Sequence, residues 1–393
     1  MDIHEKANKG SQRFRYIKLC LFLSGLSVFA QLYLFQPLLP IIADHFKTSV
    51  GNSSLLVSSS TIGMAIGLFF FAFKADSYSR KKLMTFSLLS SSLLTIISAY
   101  IPSMVILIIF GILKGFIVSG VSAVALAYIT EEVDRSIIPL AISMYLSGNI
   151  IGGMSGRILS TILAGEFGWE NSVLIIGIES LLLGILFWIF FPDSFFFQPK
   201  KIDYSLKVKQ MKSFLQDSYM LRLYCSAALL MGTFISIYNY LTFRLESAPF
   251  HLNHFLIAFI FLMYILGVFG TMITSKLSKS IEQKVILKGA VVTIIIGSLF
   301  FFSENIYMVT FGLGIFTLSF FAAHTMASQM TALHAKEGKS SATSIYWLFY
   351  YLGSSILGSS TGYILHSTSW NFFILFIILI TLITFLLSYK ETN

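Results

Sequence analysis

Four ionisable side chains stand inside long apolar stretches of this 393-residue chain: Lys114, Arg157, Glu179 and His324. A charge near mid-bilayer costs around 2.5–3.5 kcal/mol on insertion scales, so each needs either a partner or a function. Lys114 and Arg157 can bind anions. His324, of an imidazole type that titrates near neutral pH, can carry protons or pack as a satisfied histidine, and Glu179 is a second candidate proton carrier. Arg157 and Glu179 lie at similar depth in adjacent stretches, so an ion pair between them stands beside the alternative that Arg157 faces a cavity and binds a solute. Gln31, Tyr33, Gln36, Asn239 and Tyr240 add uncharged groups able to bond a solute or a neighbouring helix. Tyr346, Trp347, Tyr350 and Tyr351 recur at i, i+1, i+4 and i+5, forming either an aromatic wall of a site or an interface belt. No phosphate-cradling glycine loop, metal-ligand cluster or nucleophile–base spacing is present, so no cofactor, metal or catalytic residue is expected.

The elements that must position these groups are membrane helices. With 56% hydrophobic and 11% charged residues and a mean hydropathy of +0.81, the chain is too apolar for a soluble core. Spans of roughly 17–25 apolar residues fall at 17–40, 53–73, 83–101, 103–128, 137–164, 171–191, 219–245, 253–275, 285–303, 307–332, 342–366 and 371–388. The first is too long, and too poorly marked for cleavage, to read as a removable leader. Gln36-Pro37 marks a kink whose freed carbonyls are tolerable only beside a cavity. Cys20 and Cys225 read as isolated small apolar residues without a disulfide.

Lys and Arg sort to one side of these spans. Twenty-one stand in the segments on the N-terminal side, from Lys6 through Arg80, Lys81 and Lys82 to Lys390, against Lys47 on the other. By the positive-inside rule both termini face the cytoplasm of a cytoplasmic membrane. The net charge of +9 is then a topology signal rather than a nucleic-acid footprint. The basic connection 192–218 separates residues 1–191 from 219–393, and its lysine spacing suits a short helix on an anionic leaflet.

The two parts share a pattern. Met144–Leu159 aligns with Tyr350–Leu365, pairing Tyr145 with Tyr351, Gly152 with Gly358 and Gly156 with Gly362. Gly148, Gly152 and Gly156 fall on one helix face and admit a close backbone neighbour. The chain therefore reads as an all-α membrane protein of twelve spans in two pseudo-symmetric six-helix bundles.

That architecture resembles the major facilitator superfamily. The loop Ala72–Lys81 resembles the family's G-x-L-x-D-R-x-G-R-K/R loop at Asp76, Arg80 and Lys81, while Ala72, Ser77 and Ser79 depart from it. Gly148, Gly152 and Gly156 resemble the helix-five motif of drug:proton antiporters, with Gly153 in place of its proline and Arg157 in place of its last glycine. Gly148–Arg157, Phe320–Ser328 and Tyr350–Ile356 resemble efflux transporters of the YnfM type. The resemblance implies a secondary transporter with a site between predicted helices 1, 4, 7 and 10. It also implies that the loop latches helix ends, and that the glycine face of helix 5 and its copy supply a sliding contact. The expected partners are a small-molecule substrate, protons and the bilayer, with a monomer as the state. The interior is mostly basic, which favours efflux of an anionic or zwitterionic metabolite, metallophore or drug. A sugar exporter is the alternative, followed by an importer or a transporter-like sensor.

Overall fold

The computed structural model describes residues 5–198, 204–335 and 337–389, apart from the side chains of Asp76, Tyr204 and Tyr389. Asp76 of the loop motif, together with Lys200, Lys201, Lys336 and Lys390 of the basic connections, therefore lies outside what is described. The first half comprises α1 (Gln12–Tyr33), α2 (Leu39–His45), α3 (Val50–Ser53), α4 (Leu55–Lys74), α5 (Arg80–Ser98), α6 (Met104–Glu132), α7 (Ile138–Phe167) and α8 (Trp169–Phe190). A short helix, α9 (Tyr204–Gln216), leads to α10 (Ser218–Glu246), α11 (His254–Ile260), α12 (Leu266–Leu277), α13 (Gln283–Leu299), α14 (Ile306–His334), α15 (Lys339–Ser367) and α16 (Trp370–Tyr389).

The predicted helix over 17–40 is broken. Proline lacks an N–H and bars helical geometry in the residue before it, so α1 stops at Tyr33 and α2 restarts beyond Pro37. The predicted helix over 253–275 likewise passes through a tighter 3-10 stretch at Phe261–Ile265. Ten spans among the described residues are long and apolar enough to cross a membrane. Helices α5 and α15 complete the twelve. Both are rich in serine, and some of the buried hydroxyls are satisfied within the helix: Ser91 and Ser92 donate to Leu88 O at 3.1 and 2.7 Å, which lowers the cost of those polar groups.

One set of pairings occurs in both halves. Helix α1 packs on α7, α4 on α6, and α5 on α6 and α8; α10 packs on α15, α12 on α14, and α13 on α14 and α16. Glycine sets the closest of these contacts. A Cβ on Gly152 would meet Leu26 Cα at 2.6 Å, and one on Gly156 would meet Ala30 Cα at the same distance; Gly148 beds on Phe22 O. In the copy, Gly353 beds on Ala228 O. The first stripe fastens α7 to α1 inside its own half; the copy fastens α15 to α10, although a Cβ on Gly362 would also meet Gly51 Cα of the other half at 2.9 Å. The expected sliding contact between halves is therefore not what Gly148, Gly152 and Gly156 provide, because their face is filled by the backbone of α1.

The halves meet elsewhere. Helix α4 runs along α15, and α7 meets α11 and the 3-10 stretch. Near the end of the bundle remote from the basic connections this seam is tight. Tyr363 donates to Asn52 Oδ1 at 2.7 Å, and Ser355 donates to Ser58 O at 3.0 Å. Ser359 bonds Ser58 directly, and His254 Cβ lies 3.1 Å from where Gly165 would carry a Cβ.

Candidate functional site

At the basic end the halves separate around a cavity of about 430 Å³. Its polar wall combines Arg80, Ser122, Tyr145 and Asn149 with Lys207, Lys339, Thr343 and Ser344, and Phe29, Trp347 and Tyr351 supply aromatic surface. Among the described residues lining it none is acidic. Arg80 is neutralised by Glu131, with Nη2 to Oε1 at 2.8 Å and Nε to Oε2 at 3.2 Å, and it also donates to Ala75 O. Lys207, on α9, turns toward the cavity and donates to Ala72 O, the carbonyl end of α4. Gln210 accepts from Ser341 Oγ at 3.1 Å. Helix α9 thus touches both halves at the cavity mouth, with Lys209 and Lys212 left exposed.

Between the cavity and the tight seam lies Arg157, fully buried. Its Nε donates to Gln36 Oε1 at 2.6 Å and its Nη1 to Gly153 O, while Nη2 has no hydrogen-bond partner. Ring faces of Tyr33, Tyr264 and Tyr238 surround the guanidinium at 4.4, 4.6 and 5.2 Å. Gln36 Nε2 donates to Asn239 Oδ1 at 2.7 Å, Asn239 Nδ2 to Gly358 O at 3.0 Å, and Tyr240 OH to the same carbonyl at 2.6 Å. A continuous chain of bonds therefore runs from α7 across the helix break to α10 and α15. The hydrogen bonds of Arg157 go to Gln36 and Gly153 and not to Glu179, which is only half-buried on α8.

Lys114 is buried on α6 and reaches the opposite flank of the same break. Its Nζ donates to Gln31 O at 3.0 Å and lies 5.2 Å from the Phe35 ring. A cation at the carbonyl end of a helix complements the backbone dipoles, so Lys114 caps α1 and does not line the cavity. The Gln31 amide is occupied by Ser27 and by Thr95 of α5. His324 bonds Tyr346 OH at 2.9 Å and lies 4.7 Å from the Tyr350 ring, behind the cavity wall. Of the residues expected at the site, Trp347 and Tyr351 of the aromatic group line the cavity. Ser122, Tyr145, Asn149, Lys207 and Lys339 were missed. The available signal was the i, i+4 spacing of Tyr145 and Asn149 beside the glycine stripe.

The loop motif makes a charged cluster at the basic end. Arg80 pairs with Glu131, Lys81 with Asp193 at 3.2 Å, and Arg13 with the buried Glu132, which also accepts from Phe196 N at 2.7 Å. In the second half the start of α10 and end of α14 are joined in the same way, by Asp217 and His334 at 2.9 Å.

Twelve spans in two like halves around a cavity open at one end define a multi-pass membrane transporter of small molecules. The chain belongs to the Major Facilitator Superfamily, whose sequence profile matches residues 21–358. An uncharacterized transporter of Buchnera aphidicola subsp. Schizaphis graminum (strain Sg) is 38% identical over 382 residues, covering 97% of this chain and 92% of the relative. The inner membrane transport protein YnfM of Escherichia coli (strain K12) is 32% identical over 363 residues, covering 92% and 87%. The fold is also similar to a bacterial homologue of the human lysosomal transporter Spinster in an inward-facing and occupied conformation, with a TM-score of 0.79 at 15% identity over 97% of both chains.

Proposed function

We propose that this transporter exports a small organic anion or zwitterion across the cytoplasmic membrane by alternating access, driven by inward proton flow. The sign of the cavity wall carries the reading: among the described lining residues Lys207 and Lys339 are basic and none is acidic, while the third basic residue, Arg80, is paired with Glu131. Such a vestibule concentrates anions and disfavours lipophilic cations. The basic connections support a cytoplasmic position for both termini, and with them for the open end of the cavity. With its outer seam closed, the molecule is then in an inward-facing state, ready to load from inside.

Residues 1–191 and 219–393 act as the two rocking bodies, joined through 192–218, in a monomer. Export and proton coupling rest on the antiporter-like pattern Gly148–Gly156. His324, hydrogen-bonded behind the Trp347 wall, is the favoured proton carrier over Glu179. Untargeted mass spectrometry of cells and medium, in matched strains with and without the gene, tests this. An anionic compound should accumulate inside the deletion strain and vanish from its medium; a compound left outside only in the deletion strain would mean import.

A further inference from the structure

Resting on the reading of an organic-anion transporter, we propose that Arg157 is the seat for a carboxylate on an aromatic cargo. Seating that group releases Gln36, and with it the bonds that hold the outer seam. A carboxylate binds arginine best along one edge, taking two parallel N–H groups with its two oxygens. On the Nε–Nη2 edge of Arg157 the first donor holds the neutral amide oxygen of Gln36 at 2.6 Å and the second is vacant. Among the described residues ring faces, carbonyl dipoles and the Tyr264 hydroxyl, with no carboxylate, surround this buried cation, so an incoming carboxylate displaces the weaker amide acceptor.

The route to the seat is written on two helices. Cavity residues Tyr145 and Asn149 are followed at the same spacing by Gly153 and Arg157, and over Gly153 the Tyr264 hydroxyl stands 3.4 Å from where a Cβ would be, so Tyr264 is the side chain that must turn aside to admit the cargo. Phe29 of the wall is followed by Tyr33, their rings 6.3 Å apart. Aromatic faces along the path and around the guanidinium suit a planar, unsaturated body.

Displacing Gln36 has a consequence across the seam. Its other end holds Asn239, and Asn239 holds Gly358, one residue from the Ser359–Ser58 contact. A cargo can open the outer side only by interacting differently with the two states. Exchange at Arg157 supplies that difference.

The test uses full-length protein in proteoliposomes with Cys20→Ser, Cys225→Ser and Ser359→Cys, labelled from outside by an impermeant maleimide. Benzoate is the probe and benzamide its uncharged control. Benzoate should raise the labelling rate about tenfold and benzamide should not. Arg157→Gln should lose the response. Gln36→Leu should label fast without benzoate, and Gln36→Glu, which offers the same edge an internal carboxylate, should label fast and ignore benzoate. Monodisperse elution from a sizing column confirms that each variant folds. A wild-type rate unchanged by benzoate, or a response kept by Arg157→Gln, overturns the seat; slow labelling of both Gln36 variants overturns the release. If the transport reading itself is at fault, no organic anion crosses the vesicles at all. Transport that continues with Arg157→Gln at an unchanged KM removes only the seat.

Discussion

Arg157 and Lys114 are two buried cations held without carboxylates. Both use what the break at Gln36-Pro37 exposes: Lys114 takes a carbonyl at the end of α1, and Arg157 takes the Gln36 amide beyond it. Sequence alone located these charges and their depth. It could not assign partners, because equal depth says nothing about which way each helix turns; Glu179 is level with Arg157 yet sits apart from it. Where a carboxylate is buried, as at Glu132, its partners should be costly to lose. Glu132→Gln is expected to lower stability by about 2 kcal/mol, the scale of a charged hydrogen bond, read as thermal unfolding in detergent. Asp217 gives a pH signature. Burial opposes its charge, but the bond from His334 and the N–H groups of Met220 and Tyr219 outweigh that and hold the carboxyl below the usual carboxylate range. A folded value below the unfolded one stabilises above the ordinary carboxylate range and is lost as pH falls through the lowered value. Asp217→Asn should therefore unfold at a lower temperature than wild type near pH 7, with the gap closing toward pH 3.

At the scale of elements, the helices and their duplication were legible because apolar length and glycine spacing are local properties. The partner of the glycine face was not. A stripe that admits a close backbone is the same whether that backbone belongs to the other half or, as here, to α1. Two glycines separate packing from propensity. A Cβ on Gly152 meets the backbone of Leu26, whereas one on Gly289 of α13 meets nothing within 4 Å. Gly152→Ala should destabilise by about 1–3 kcal/mol, despite the ordinary gain of alanine in a helix. Gly289→Ala should stabilise by about 0.5–1 kcal/mol. Equal shifts in the two variants would contradict the α1–α7 contact.

At the scale of the whole molecule, the seam is closed at one end and the cavity is open at the other. The cavity wall stayed hidden in the sequence, since its residues come from α1, α4, α5, α6, α7, α9 and α15 together. Locking the closed end should stop turnover while leaving the cavity accessible. Ser58→Cys with Ser359→Cys, cross-linked, is expected to abolish transport by more than about tenfold and to be rescued by reduction; undiminished flux in the cross-linked protein would mean that the halves do not part there. Reversing the mouth, with Lys207→Glu and Lys339→Glu, should raise KM for the anion about tenfold with little change in kcat, and less so in high salt.

Flux against a proton gradient bears most directly on anion export. Proteoliposomes carrying the purified protein would be made acidic inside, and entry of the labelled anion identified from the paired strains would be followed. Antiport should drive that anion above its equilibrium level as protons leave, and a protonophore should abolish the excess. Accumulation only when the outside is the acidic side, or no accumulation in either direction, would contradict proton-driven export through this cavity.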